Sequence, residues 1–403
     1  MDSNTRAKGE YAMFTPETSR HFKKYVDESG VVTYILTTRI APVQQGFYFT
    51  NPCMTSDGRY LWFWGTYPPS NTKICAVLDF ETDEITVHNE MCGAGIPLVD
   101  TDNGDIYFCL GGSLYKMSPD KTDEWKVIAK GSAVFKSVFD RFESSLKGDE
   151  PCGGVSATHL LWTKDKKTVL IDTQYRVNGT KVGSLDIETG EFTFWTDVHG
   201  RIYNHGAICP TDPDLGMVNE DFWTDAITGE YHLIRTLEDG TLCRIVLVRR
   251  NGEVEIVPPM FKTRATHEWW ADDGKSLYSV DMTMGLCRYT LEDKKWELRV
   301  PGKAWHGHCS KNEKYYVSDI DLVDQCYRGC ESRVRFYNYE TKKDVFIITY
   351  NPAWNTPDNQ NSFHMDPHPS FVCDDKYICH TTTVDGHIDV ALTSTAQLIE
   401  MTK

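Results

Sequence analysis

The sequence predicts an all-β fold, a seven-bladed β-propeller whose ring is closed by an N-terminal strand. Three observations carry this. A polar turn followed by an apolar strand recurs along most of the chain. Polar hairpins recur behind several copies of that unit, as in Leu185–Phe192 and Val248–Val254. No long stretch places apolar residues at the 3.6-residue helical period. Short strands repeating every roughly 45 to 60 residues belong to a propeller, because one blade cannot bury both of its faces alone.

Residues 1–30 are polar, carry little pattern and read as an N-terminal extension. Residues 31–403 read as one propeller domain. The β-branched run Val31–Ile40 is a strand. The turn and its apolar strand then appear at 56–64, 102–108, 164–171, 212–218 (a degenerate copy), 272–278, 311–317 and 374–379. The connection from third to fourth strand is legible at Leu78–Ile85, Leu185–Phe192, Val248–Val254 and Tyr337–Lys343. The "Thr-Gly" and "Asn-Gly" tips among them are hairpin turns. The last unit runs short of strands, and Val31–Ile40 can supply the missing one.

Hydrophobic residues make up 40% of the 403 and aromatic residues 12%, enough for a large core. A net charge of -16 argues against a nucleic-acid partner. An acidic sugar can still be bound through a local cationic or metal site. With no apolar run of about 18 residues and no leader pattern, no membrane partner and a cytoplasmic location are expected. The 13 cysteines are scattered and odd in number, which reads as reduced thiols rather than a disulfide framework.

Histidines supply the functional signal. The stretch His364–Phe371 holds two imidazoles, one carboxylate and two prolines. It is poor core material and reads as a rigid loop presenting Asp366 and His368 to the same side. Imidazole with carboxylate suits manganese, iron or zinc. His205, His267, His306 with His308, and Asp366 with His368 precede the turn of four consecutive units. That phase is the start of the innermost strand, so four blades should send polar side chains to one central mouth. His267, beside Trp269 and Trp270, could instead be a satisfied core histidine, and Pro367 and Pro369 also suit a blade's opening turn.

These motifs resemble those of the oligogalacturonate lyase family, seven-bladed propellers of pectin catabolism. Thr266-His267-Glu268-Trp269-Trp270 resembles its catalytic-histidine motif. Cys243-Arg244-Ile245 falls where the family has its arginine, and Pro367–Phe371 resembles its metal motif, with His306 as a further metal histidine. The resemblance implies a carbon–oxygen lyase that cleaves an acidic oligosaccharide by β-elimination with Mn²⁺ or another divalent cation. His267 and Arg244 would be catalytic. His205, Arg244, His308 and Trp269 would bind substrate. His306, Asp366 and His368 would hold the metal. The family uses three histidines and a glutamine; here Asp366 stands for one histidine and Phe363 for the glutamine, so Gln360 and His364 are candidates to complete the set. Two alternatives stay open: a lyase acting on another uronate, such as a rhamnose–glucuronate unit, and a non-catalytic propeller that binds protein or sugar.

Overall fold

The computed structural model describes residues 13–121, 124–130, 156–174, 179–199, 202–221, 223–224, 231–232, 234–263, 265–321, 332–349 and 366–403. The last turn, at Asp374–Asp375, closes through Lys376 N on Cys373 O, and each of the other six is built in one way. Its Asp or Asn oxygen accepts the backbone N–H two residues on, which bends the chain without any tertiary help. Asp57 accepts from Arg59 N at 2.9 Å, Asp165 from Lys167 N at 3.2 Å, Asp273 from Lys275 N at 2.9 Å and Asn312 from Lys314 N at 3.0 Å. The apolar strand behind each turn is buried on both faces. Trp62 and Phe63 are wholly buried, as are Leu277 and Tyr278. Such strands read as continuous hydrophobic runs rather than alternating ones, because blades pack against them from both sides.

The strands form seven antiparallel blades. The first is Val43–Gln45, Tyr60–Thr66, Lys73–Asp79 and Glu84–His88. The second is Leu98–Val99, Ile106–Leu110, Ser113–Met117 and Trp125–Ala129. The third has three named strands, Thr168–Gln174, Gly179–Asp186 and Phe192–His199, with a Trp162–Val169 bridge on its inner side. The fourth is Ile202–Cys209, Asp212–Asp221, Ile245–Arg249 and Val254–Val257; the hairpin Trp223–Thr224 with Tyr231–His232 is inserted in it. The fifth is Ala265–Trp270, Ser276–Asp281, Gly285–Thr290 and Lys295–Pro301. The sixth is Gly307–Cys309, Tyr315–Asp321, Ser332–Asn338 and Lys343–Ile348.

The seventh blade closes the ring. Ser370–Val372, Tyr377–Thr382 and Asp389–Ser394 are joined by Val32–Leu36, which pairs with Asp389–Ser394 through Thr33–Thr393, Tyr34–Leu392 and Ile35–Ala391. The closing strand is therefore the one expected. The quiet stretch before it holds one more strand, Phe22–Val26, paired outside Val32–Leu36. Its five residues, Phe-Lys-Lys-Tyr-Val, neither alternate nor form an apolar run, and none is fully buried, so no pattern announced it. Thr395–Met401 ends the chain as a short helix, too brief to show a period. Among the described residues, no helix is long and apolar enough to cross a membrane, and no two cysteines are joined.

Closure makes the two chain ends cooperate. Ile35 is fully buried on the closing strand, whereas Val26 on the outer one is 52% exposed. Ile35→Ala should cost about 2–4 kcal/mol, while Val26→Ala should stay within about 0.5 kcal/mol. Chemical denaturation of both variants checks this, and equal losses would refute closure as the stabilising contact.

Candidate active site

Innermost strands meet around the axis: Ile202–Cys209 packs on Ala265–Trp270, and Gly307–Cys309 on Ser370–Val372. Where these strands begin, the chain is bent so that side chains can turn inward. His205 has φ 51°, His267 φ 51° and His368 φ 44°, all in the left-handed region. Register shifts between Asn204 and Ala207, and between Thr266 and Trp269, mark the first two as bulges. Such conformations cost of order 1–3 kcal/mol for a non-glycine residue and persist at functional sites. Three blades carry the same costly kink at a histidine.

The imidazoles converge. His267 and His306 have ring centroids 4.1 Å apart, and His306 and His368 are 4.3 Å apart. Nitrogen and oxygen atoms of His306, Asp366 and His368 lie within 4.8 Å of one another, and all three residues are buried. Nε2 of His306 and Nε2 of His368 each stand 3.7 Å from Oδ2 of Asp366. Behind them lies Asp319, fully buried. It accepts from His306 N at 2.6 Å and His368 N at 3.2 Å, and it meets His306 Nδ1 at 2.9 Å. A carboxylate on Nδ1 holds that proton there and turns the Nε2 lone pair toward Asp366. This is the usual outer support of a metal-binding histidine. Two imidazoles and a carboxylate suit a borderline or hard divalent cation, so the residues present fit one.

His267 is oriented by a backbone carbonyl: Nδ1 lies 2.5 Å from Trp305 O. A carbonyl can only accept, so Nδ1 carries the proton and Nε2 is the basic atom. His205 is set likewise. Asn204 donates its amide to Asp221 at 3.0 Å, which points Asn204 Oδ1 at His205 Nδ1, 2.7 Å away. Burial, and then the positive charges of neighbouring His159 and Arg244, hold the His205 imidazolium pKa well below its ordinary value. It is a neutral ring.

Arg244 is 5% exposed. Its Nε reaches Glu268 Oε1 at 3.1 Å and its Nη1 reaches Asp221 at 3.3 Å, while Nη2 stands 3.4 Å from His205 Nδ1. Burial pushes the Glu268 carboxyl up and Arg244 pulls it back. Arg244 thus lies at the hub, flanked by two carboxylates, and touches His205.

Two expected site residues sit elsewhere. Trp269 is buried and stacked on Tyr278, with ring centroids 4.8 Å apart at 7°, in the core between the fifth and sixth blades. His308 accepts from Phe371 N at 3.2 Å between the sixth and seventh blades, and burial lowers its pKa to about 4. Its ring stands 6.0 Å from that of Phe371, so the seam between these two blades seats it. Gln360 and His364 lie outside the described residues. Tyr203, a tyrosine near the motif, is buried with Leu170, Val182 and Trp195 in the core.

The structure adds residues that the motif search passed over. Tyr48, just after the first blade's inner strand, has its ring 4.3 Å from His159, 5.0 Å from His368, 5.8 Å from His306 and 5.9 Å from His205. Burial raises its pKa well above the usual phenol value, so it remains a donor. His159 stacks on His205 at 4.6 Å and 21°. The signal for His159 was present: it precedes Lys164 by the same number of residues as His306 precedes Lys311 and His267 precedes Asp272. Tyr48 carried none, since the first unit has no histidine at that phase.

Fold and site together define a seven-bladed propeller with imidazoles and one cation-ready cluster converging on its axis. Compared with known proteins, the chain is similar to the oligogalacturonide lyase of Pectobacterium atrosepticum, 30% identical over 164 residues, covering 37% of this chain and 39% of that protein. It is similar to the oligogalacturonate lyase of Dickeya dadantii, 24% identical over 222 residues, covering 50% of this chain and 52% of that one. The matches thus span about half or less of those relatives' length. Two solved structures share the fold over 93% of this chain and 96% of theirs. One is an oligogalacturonate lyase in complex with manganese (TM-score 0.69, 19% identity), the other an oligogalacturonate lyase from Vibrio parahaemolyticus (TM-score 0.69, 17% identity). No protein-family model matches. In part of its sequence and in its fold, the chain is similar to oligogalacturonate lyases.

The Arg244–Glu268 pair tests the packing of this site. Glu268→Ala leaves Arg244 buried with one carboxylate fewer and should cost about 3 kcal/mol or more. Adding Arg244→Met should recover part of that loss. Urea unfolding of the single and double variants measures it; strict additivity would show that the pair is not coupled.

Proposed function

We propose that the chain is a metal-dependent lyase that cleaves oligogalacturonides by β-elimination, leaving 4,5-unsaturated uronate products. One observation carries the reading: an oriented imidazole, His267, abuts a buried cluster of His306, Asp366 and His368. The elimination needs a base for the proton at C5 of a uronate and a means of stabilising charge that builds on the neighbouring carboxylate. A cation held by His306, Asp366 and His368 would act on that carboxylate as a Lewis acid. Manganese fits the donor set, and the solved lyase of the same fold is described as a complex with manganese.

His267 takes the C5 proton on Nε2, the C4–O bond breaks as the C4=C5 bond forms, and the departing oxygen takes a proton from water. Its Nδ1–H stays on the Trp305 carbonyl throughout, so the ring does not swing as it gains charge. Arg244 supports the proton transfer from beside His205, with Glu268 and Asp221 fixing its plane. Its positive charge favours the anionic substrate and disfavours premature protonation of the imidazoles. His205 contacts the sugar. The Tyr48 hydroxyl, a donor at the same face, hydrogen-bonds substrate oxygen. A cytoplasmic setting is part of this reading, and the thiols of the described cysteines support it.

Asp366 stands where the family's motif has a histidine, and this keeps a second uronate substrate, such as a rhamnose–glucuronate unit, as the alternative. A panel of uronate oligosaccharides separates the two by relative kcat/KM.

Two outcomes are expected. His267→Ala should abolish the ultraviolet absorbance of the unsaturated product on trigalacturonate while circular dichroism stays unchanged, a loss on the order of 100-fold or more for removal of a general base. Retained turnover removes His267 from the role. Treatment with a chelator should stop turnover and Mn²⁺ should restore it; full activity of protein shown metal-free by elemental analysis would overturn the Lewis-acid assignment.

A further inference from the structure

Asp319 has a counterpart. Asp172 lies as far after Lys164 as Asp319 lies after Lys311, on the equivalent strand of the third blade. It is 1% exposed and makes the same pair of contacts. Oδ1 accepts from Thr158 N, in its own blade, at 2.7 Å, and Oδ2 accepts from Gly206 N, in the next blade, at 3.2 Å. Asp319 likewise uses Oδ1 for His306 N of its own blade and Oδ2 for His368 N of the next. The Thr158 hydroxyl adds a third bond to Asp172. A Cβ on Gly206 would stand 3.1 Å from the Asp172 carboxyl, which explains a glycine at this close approach.

The residues that Asp172 grips flank His159 and His205 directly. Those two rings stack, and Tyr48 covers His159. His205 presents Nε2 as an acceptor, because its Nδ1–H is taken by Asn204. The nearby positive charge of Arg244 is met by two carboxylates. This half of the hub therefore offers the Nε2 acceptor of His205 and the phenol donor of Tyr48, with the charge of Arg244 already matched. That chemistry recognises sugar hydroxyls, not a second carboxylate. The Tyr48 ring also meets His306 and His368 of the cation-ready cluster, so it touches both groups.

We infer that Asp172 is a positioning residue that holds His159 and His205 as a hydroxyl-binding wall of the hub, distinct from the cluster that Asp319 supports. The inference rests on the lyase reading for its substrate, an oligogalacturonide, and assigns its carboxylate and its hydroxyls to two different groups of residues at one mouth.

The two clasps give separable readouts. Digalacturonate binding is measured by calorimetry in a His267→Ala background, and Mn²⁺ affinity by calorimetry in the absence of sugar. Asp172→Ala should weaken digalacturonate by about tenfold or more, the loss of one well-placed hydrogen bond, and leave Mn²⁺ affinity within about twofold. Asp319→Ala should do the reverse, with Mn²⁺ affinity falling about 10- to 100-fold. His159→Phe keeps an aromatic ring on Tyr48 and removes the nitrogens, so it should reproduce the Asp172→Ala loss even where that variant folds poorly. Unchanged digalacturonate affinity in folded His159→Phe, or an Mn²⁺ loss in Asp172→Ala equal to that in Asp319→Ala, overturns the inference alone. Absence of digalacturonate binding to the His267→Ala parent overturns it together with the lyase reading.

Discussion

Buried carboxylates that clasp backbone N–H groups of two adjacent blades hold the centre of this ring. The blades otherwise meet through apolar faces, as in the cluster of Trp269, Tyr278, Tyr316 and Tyr337. Apolar contact is non-directional and fixes no orientation at the axis. Asp319 and Asp172 supply what it lacks. Each takes two main-chain donors from neighbouring inner strands, and a charged acceptor in a low-dielectric site makes such bonds strong and short-ranged. The hub's polar side chains depend on this because they stand on bent backbone that would relax if released.

The bend is the second constraint. His205, His267 and His368 all adopt the left-handed conformation. A regular strand would send successive side chains to opposite faces, into the blade interfaces on either side. The kink redirects one side chain per blade along the axis instead. Its cost is met by the surrounding ladder and by the bonds made once there, such as His267 to the Trp305 carbonyl. Burial and nearby positive charge then hold the pKa of one of these rings, His205, well below its ordinary value. His205 is therefore a ring that can accept a hydrogen bond near neutrality.

Charge is balanced locally within a protein of net charge -16. Arg244 is matched by Glu268 and Asp221, and His306 leans on Asp319. An anionic sugar therefore has little long-range attraction to this molecule, and recognition falls to the few atoms at the mouth. That places the weight of specificity on the hub, consistent with its contributions from six of the seven blades.

The sequence by itself determined the blade count, the closing strand and the phase at which ligand-bearing residues reach the axis. Those features are local. An Asx turn is made by one side chain and the N–H two residues on, and an apolar strand declares its burial by composition. His267, His306, Asp366 and His368 were legible for the same reason, since the repeat numbers each position relative to its turn. His159 obeyed that numbering too and was readable, whereas Tyr48 stands in a unit with no imidazole to flag it. Only the tertiary structure decided which side chains meet. Trp269 and His308 lie two residues after hub histidines, yet the bulge at His267 and the packing of the blades carry them into the core. Asp172 and Asp319 look like ordinary strand carboxylates until adjacent blades bring them two backbone donors each. Contact across a ring is set by how whole blades pack, and no stretch of one chain segment contains that information.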